Sequence, residues 1–305
     1  MDVHERLLRI DSAYRLARIA SENNHRRFRA SGLLAARPGI TTIQIVVHVV
    51  HNTNEQSLSV AQVQSQIDVL NRDFRMRNPD VSSVPTPFKP LAADARVEFK
   101  LATVDPQGNP TNGITRTQTT RAGFSVDDDG IKSVATGGAD AWPADRYLNI
   151  WTAPNLPSPQ GPLLGYAQFP GGPAATDGVV ILHSAFGTMG TARAPFHLGR
   201  TTTHEVGHYL NLRHIWGDDG DGCNGRDFVD DTPNQGSENF GEPTFPNVSC
   251  GNAPNGDLFM NYMDYVDDVA MFMFTAGQVE RMQACLDSDR SAIGTAVQRV
   301  AEPVT

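Results

Sequence analysis

Apolar residues in the first thirty positions recur at helical spacing, at Leu7, Leu8, Ile10, Tyr14, Leu16, Ala17 and Ile19. The chain then turns basic at His25-Arg26-Arg27-Phe28-Arg29 and small at Ala30-Ser31-Gly32, and Pro38-Gly39 closes the stretch. Two readings stay open for residues 1–38: a segment outside the main core with a linker, or the first helix of the domain. From Ile40 the period changes. Thr41–His51 is a β-rich run and predicts a central strand. Ser59 is placed to cap a helix running to about Arg75, with Val60, Val63, Ile67, Leu70 and Phe74 on its apolar face. Ala95–Val104, Gly113–Gln118, Tyr147–Thr152 and Gly178–Leu182 predict further strands. Leu163–Phe169, including Gly165, Tyr166 and Ala167, is a shorter strand between Pro- and Gly-rich loops, which suits a sheet edge.

Beyond residue 214 the pattern breaks. Residues 217–256 are mostly Gly, Asp, Asn, Pro, Ser and Thr, a composition that forms no long regular element and needs something to hold it. Thr275 then starts a helix to about Asp287, with Val279, Met282 and Leu286 on one side, and the tail from Ala292 is expected to fray. Strands interleaved with helices predict a mixed α/β (α+β) layer.

The 305 residues are ample for a sizeable core. A net charge of -9 provides no basic footprint for nucleic acid and no polybasic segment for anionic membranes. No apolar run reaches membrane-spanning length. Met1–Arg6 lacks the apolar region of a signal peptide, so either the chain is not exported by that route or its numbering begins after a signal. Cys223 and Cys250 flank a loop rich in Asp, Asn, Gly and Pro and are the expected place for one disulfide, and Cys285 lies in a helical pattern as a buried thiol.

The chemistry concentrates in Thr203-His204-Glu205-Val206-Gly207-His208-Tyr209-Leu210-Asn211-Leu212-Arg213-His214. On a helix, positions four apart share a face, so His204 and His208 can aim at one point with Glu205 beside them, the first half of a hydrolytic zinc site. An unbroken helix would carry His214 off their line. The chain must stop and turn back, which needs a left-handed residue; Gly is usual, and Asn211 is the next most tolerant type. His48, His51, His183 and His197 read as core or surface histidines, and His4 and His25 fall in the N-terminal segment.

The spacing His204-Glu205-x-x-His208-x-x-Asn211-x-x-His214 resembles the long zinc motif of the metzincin metallopeptidases, and Asn261-Tyr262-Met263-Asp264-Tyr265 resembles their Met-turn. Trp216-Gly217-Asp218, Asp230-Asp231-Thr232-Pro233 and Phe274-Thr275-x-Gly277-Gln278 are similar to the pappalysin family, including its ulilysin-like members. The resemblance covers roughly residues 40–290. It implies a catalytic domain over 39–290. The upper part (39–214) would hold a twisted mixed sheet and the active-site helix; the lower part (215–290) would hold loops, the Met-turn and the C-terminal helix. Residues 291–305 would be a tail.

The resemblance further implies zinc on His204, His208 and His214, with one position left for water and Glu205 as general base. Met263 would floor the histidines, and Tyr265 would either assist the developing oxyanion or simply pack. Extended substrate would pair with the Gly165–Ala167 edge. Asp267 and Asp268 would wall a pocket favouring a basic residue after the scissile bond, or lie solvated. Asp218, Asp219, Asp221, Asp227, Asp230, Asp231 and Thr232 are candidate calcium ligands on an otherwise self-repelling loop, the rival being a hydrated acidic loop. Residues 1–38 would be a pro-segment with an accessible cleavage site at Arg26–Arg29. No cysteine precedes Cys223, so any latency ligand would be Asp11, Glu22 or His25. The expected protein is a monomeric, extracellular metalloendopeptidase acting on proteins or peptides. The rival is a non-catalytic peptide-binding protein on the same fold. Glu205→Gln is expected to fold and keep zinc while losing peptide hydrolysis, because an amide lacks the basicity of a carboxylate; turnover of casein by that variant would contradict the assignment.

Overall fold

A computed structural model of the chain describes residues 1–31, 39–159, 161–220 and 222–297. Two helices open it, α1 (Asp2–Ile10) and α2 (Ser12–Ser31). Strand β1 (Ile40–His51) follows, then α3 (Val60–Asp73), β2 (Val97–Leu101), β3 (Ile114–Gln118), β4 (Leu148–Ala153), β5 (Gly165–Ala167) and β6 (Val179–Leu182). The motif helix is α4 (Arg200–Tyr209). Two short strands, β7 (Phe240–Gly241) and β8 (Tyr265–Val266), pair across the loop region; α5 (Ala276–Asp287) and β9 (Thr295–Val297) complete the chain.

The sheet runs β2-β1-β4-β6-β5, and β1 is its spine. Residues 41–45 of β1 pair with β2, residues 47–51 with β3 and residues 45–49 with β4, all parallel. β6 lies parallel to β4, and β5 returns antiparallel on β6 as the edge. This is the mixed α/β arrangement that the hydrophobic pattern predicts. Parallel strands are buried on both faces, which explains the unbroken apolar run Ile45–Val47 and Val49–Val50. Ser59 caps α3 by accepting from the Gln62 amide, and Thr275 and Gln278 form a capping box at the start of α5.

Two elements depart from the sequence reading. The tail does not simply fray, because Thr295–Val297 pairs antiparallel with Ile40–Thr42. The predicted strand Leu163–Phe169 pairs only over Gly165–Ala167. The N-terminal helices are docked on the fold: Val3, Leu7 and Tyr14 are buried in one cluster with Trp151, Tyr166 and Phe169.

α4 has no capping side chain of its own; its first turn starts from Gly199 at φ 81°. Distant residues hold it instead. Asp268 accepts from the backbone amides of Leu198 (2.7 Å) and Arg200 (3.3 Å). Arg200 pairs with Asp73 at the end of α3 (3.3 Å) and with Asp80 (2.9 Å), and Thr203 donates to Asp73 (2.7 Å). The start of the motif helix is thereby tied to α3 on one side and to the loops below on the other.

Candidate active site

α4 ends where the third histidine requires it. Leu212 N–H reaches back to Gly207 O and Asn211 N–H to His208 O, both at 2.9 Å, and Asn211 takes φ 77°. This is the Schellman pattern, which leaves the carbonyls of the last turn satisfied and reverses the chain. His214 thereby returns beside the other two.

Each imidazole of the trio is fixed at Nδ1. His204 donates to Tyr262 O (2.8 Å), His208 to Leu212 O (2.8 Å), and His214 is bonded to the Asp218 carboxylate (2.6 Å). A carbonyl only accepts, so for His204 and His208 the proton sits on Nδ1 and Nε2 keeps its lone pair. The Nε2 atoms of His208 and His214 are 3.1 Å apart. Among the described residues, these three form the group of His, Cys, Asp or Glu whose ligand atoms all lie within 4.8 Å of one another. Burial holds all three rings neutral: His204 is pushed down to about 4, and His208 and His214 well below the ordinary imidazole value, with the neighbouring imidazoles adding to the effect. Neutral, buried, convergent nitrogens suit a single divalent metal ion.

Two glycines make the geometry possible, and neither is singled out by the motif. A Cβ on Gly207 would lie 2.5 Å from Met263 Sδ, so the helix meets the turn below it at a glycine. A Cβ on Gly165 would lie 3.0 Å from Glu205 Cγ and 2.9 Å from Val180 O, so the Glu205 side chain rests against the bare backbone of the edge strand. The one sequence signal was a glycine inside a helix, where it costs about 1 kcal/mol and needs a reason. Met263 is buried, and its amide donates to Asn261 Oδ1 (2.9 Å). Trp216 stacks on His214 at 4.2 Å between centroids, and the Tyr265 ring stands edge-on to His214 at 4.8 Å.

Two cavities meet at this centre. One, of about 280 Å³, is lined by Met1, Gly165, Tyr166, the three histidines, Glu205, Trp216, Glu238 and Tyr265. The other, of about 220 Å³, is lined by Leu164, Phe196, Thr201, His204, Glu205, Phe240, Tyr265, Val266, Met271 and Asp268. Asp268 is buried at this cavity, and burial pushes its carboxyl up to about 6 against the pull of its two amide donors. Asp267 is half-buried and is not among the residues lining either cavity.

The acidic loop disperses its carboxylates. Asp218 serves His214, Asp219 accepts from the Asn224 amide, and Asp231 accepts from Thr275 and the Gly277 amide at the start of α5. Asp230 pairs with Arg29. Asp227 is buried, bonded to the Val229 amide and Thr232, and pushed up to about 6 by burial. Asp221 lies outside the described residues. Asp227, Asp230 and Thr232 border a cavity of about 750 Å³ against α2. Cys223 and Cys250 form a disulfide across the loop, and Cys285 is a buried free thiol.

Three imidazoles converging from a helix and its exit turn, a methionine turn beneath and a sheet edge alongside define a zinc metalloendopeptidase of the metzincin type. A family model described as pregnancy-associated plasma protein-A matches residues 132–287. The chain belongs to this family, the pappalysins. Extracellular metalloproteases of Pyricularia oryzae and Arthroderma gypseum are 34% and 33% identical to it, over 84% and 79% of this chain and 78% and 71% of theirs. Mature mirolysin of Tannerella forsythia, solved with a cleaved peptide, is 51% identical with a TM-score of 0.79, covering 86% of this chain and 95% of that one. A promirolysin mutant of the same organism is 45% identical with a TM-score of 0.81, covering 95% of this chain and 93% of that one.

Gly165→Ala is expected to displace Glu205 and lower kcat/KM by about tenfold to a hundredfold while zinc content stays unchanged; unaltered peptide turnover would show that Glu205 does not depend on this contact.

Proposed function

We propose that His204, His208 and His214 hold the catalytic zinc through Nε2 and that Glu205 is the general base of an endopeptidase. The observation that carries this is the convergence of three anchored, neutral imidazoles on a cavity that Glu205 also lines. Bound zinc supplies a Lewis acid that polarises the peptide carbonyl and acidifies water. Glu205 would take a proton from the attacking water and hand it to the leaving amine. Tyr265 stands beside His204 and His214 at the mouth of both cavities, where its phenol can donate to the oxygen that gains charge. Among the described residues β5 pairs with β6 on one side, and its other edge would offer backbone groups to an extended substrate, so a peptide would lie along Gly165–Ala167 with its scissile bond over the histidines.

The side chain after the scissile bond enters the smaller cavity, and Asp268 favours Arg or Lys there. Asp267 takes no part in this reading. Extracellular action rests on the naming of the relatives as extracellular metalloproteases. Removal of residues 1–38 as a pro-segment is in keeping with the coverage of this chain, 86% by mature mirolysin and 95% by the pro-form. A structural calcium ion on Asp227 and Thr232 rests on the loop's run of carboxylates alone, since the cavity beside them is also lined by Arg26, Arg29 and Arg226.

Asp268 is neutral below about pH 6 and charged above it. The preference for Arg over Leu after the scissile bond should therefore rise as pH increases through 6 and then level off. Asp268→Asn should lower that preference on the order of tenfold to a hundredfold and flatten its pH dependence. A cleavage profile with no basic preference at pH 8 would remove the pocket reading and leave the zinc assignment intact. Chelating calcium while zinc is retained should lower Tm by about 5 °C; unchanged Tm and activity would exclude the calcium site.

A further inference from the structure

Glycine at position 211 would satisfy every backbone requirement of the turn, so the Asn211 side chain calls for its own explanation. Its Oδ1 accepts from Arg18 Nη2 of α2 at 2.6 Å, and its Nδ2 donates to Ser21 Oγ at 3.4 Å. The Asn211 carbonyl is held as well, by Arg281 Nε of α5 at 2.7 Å. Arg281 is fully buried, and its guanidinium is bidentate to the Glu22 carboxylate of α2, with Nη1 to Oε2 at 3.0 Å. Glu22 also reaches Arg18 at 3.4 Å. Arg18, Ser21 and Glu22 are spaced three and four apart and so lie on one face of α2. Arg18 also donates to Pro170 O (3.3 Å) and stands 5.1 Å from the centre of the Phe169 ring, which in turn packs against His208.

We propose that Asn211 and Arg281 form a latch for the N-terminal helix, gripping Arg18 and Glu22 at the same turn that brings His214 into the metal centre. The turn is then held through its side chain by one guanidinium and through its carbonyl by another, with Glu22 bridging the two. Docking of α2 and the conformation of the motif's exit turn are coupled through a single residue. When α2 leaves, Arg281 loses the Glu22 carboxylate and Asn211 Oδ1 loses the Arg18 donor. In the docked state the Arg281 guanidinium is fully buried and paired with Glu22, so removing the Glu22 charge while α2 stays in place is costly. The other ion pair near the end of α2, Arg29 with Asp230, lies in solvent and contributes little.

The latch describes the chain that still carries α2, and it does not rest on the proposal that residues 1–38 are later removed. Hydrogen exchange on the full-length, zinc-loaded chain reads it from the amides of residues 12–31, with zinc content measured for each variant. Asn211→Gly keeps a residue suited to φ 77° and removes the Arg18 contact; Glu22→Gln keeps the shape and removes the charge. Each should lower protection of α2 by about tenfold. Asn211→Asp, which keeps the acceptor, should retain protection, and Arg29→Ala should change it by less than about threefold. Wild-type protection in both Asn211→Gly and Glu22→Gln, or an Arg29→Ala loss equal to theirs, would overturn the latch. Should Asn211→Gly fail to fold, Glu22→Gln decides the question, since it lies outside the motif. N-terminal sequencing of active enzyme separately reports whether the segment is removed.

Discussion

The site depends on one constraint: three imidazoles must present bare Nε2 atoms to the same point, so each Nδ1 must be held by something rigid. The acceptors come from three different places. His204 is held by the Met-turn carbonyl, His208 by the exit turn of its own helix, and His214 by a carboxylate of the loop that follows. The first of these needs α4 to approach the Met-turn closely, and Gly207 against Met263 is what permits that approach. Burial then keeps the rings neutral, which is the protonation state a metal ion needs.

The rest of the fold places α4. β1 organises the sheet, and β5 on its far edge brings Gly165 against Glu205. The helix begins on Asp268, from the loops beneath, and on Asp73 and Asp80 through Arg200. It ends on Asn211, which α2 and α5 grip from opposite directions. The same carboxylate that anchors the helix start also lines the smaller cavity, so the pocket beyond the scissile bond and the metal centre are built from shared parts.

Much of this was legible in the amino-acid order because it is local. The β-rich run of β1, the Ser59 cap of α3 and the Thr275 cap of α5 each follow from residues within a few positions of one another. The histidine spacing and the need for a left-handed residue at Asn211 are likewise local. What stayed hidden depends on contacts distant in sequence. Gly165 and Gly207 read as ordinary glycines until Glu205 and Met263 are set against them. Asp218 reads as one of seven candidate calcium ligands, yet its carboxylate lies on His214. Asp267 and Asp268 are adjacent in sequence, and packing puts only Asp268 at a cavity. The N-terminal helices looked separable by composition, but Tyr14 and Arg18 are buried on the core.

The central claim is that a single zinc ion held by this trio carries the hydrolysis. The direct measurement is titration of zinc into metal-free protein while cleavage of a fluorogenic peptide is followed, in the wild type and in His214→Ala. The account predicts no cleavage without metal, recovery that saturates at a single ion per chain, and loss of tight zinc binding in the variant. Hydrolysis by the metal-free protein, or a His214→Ala variant that binds zinc and cleaves as the wild type does, would contradict it.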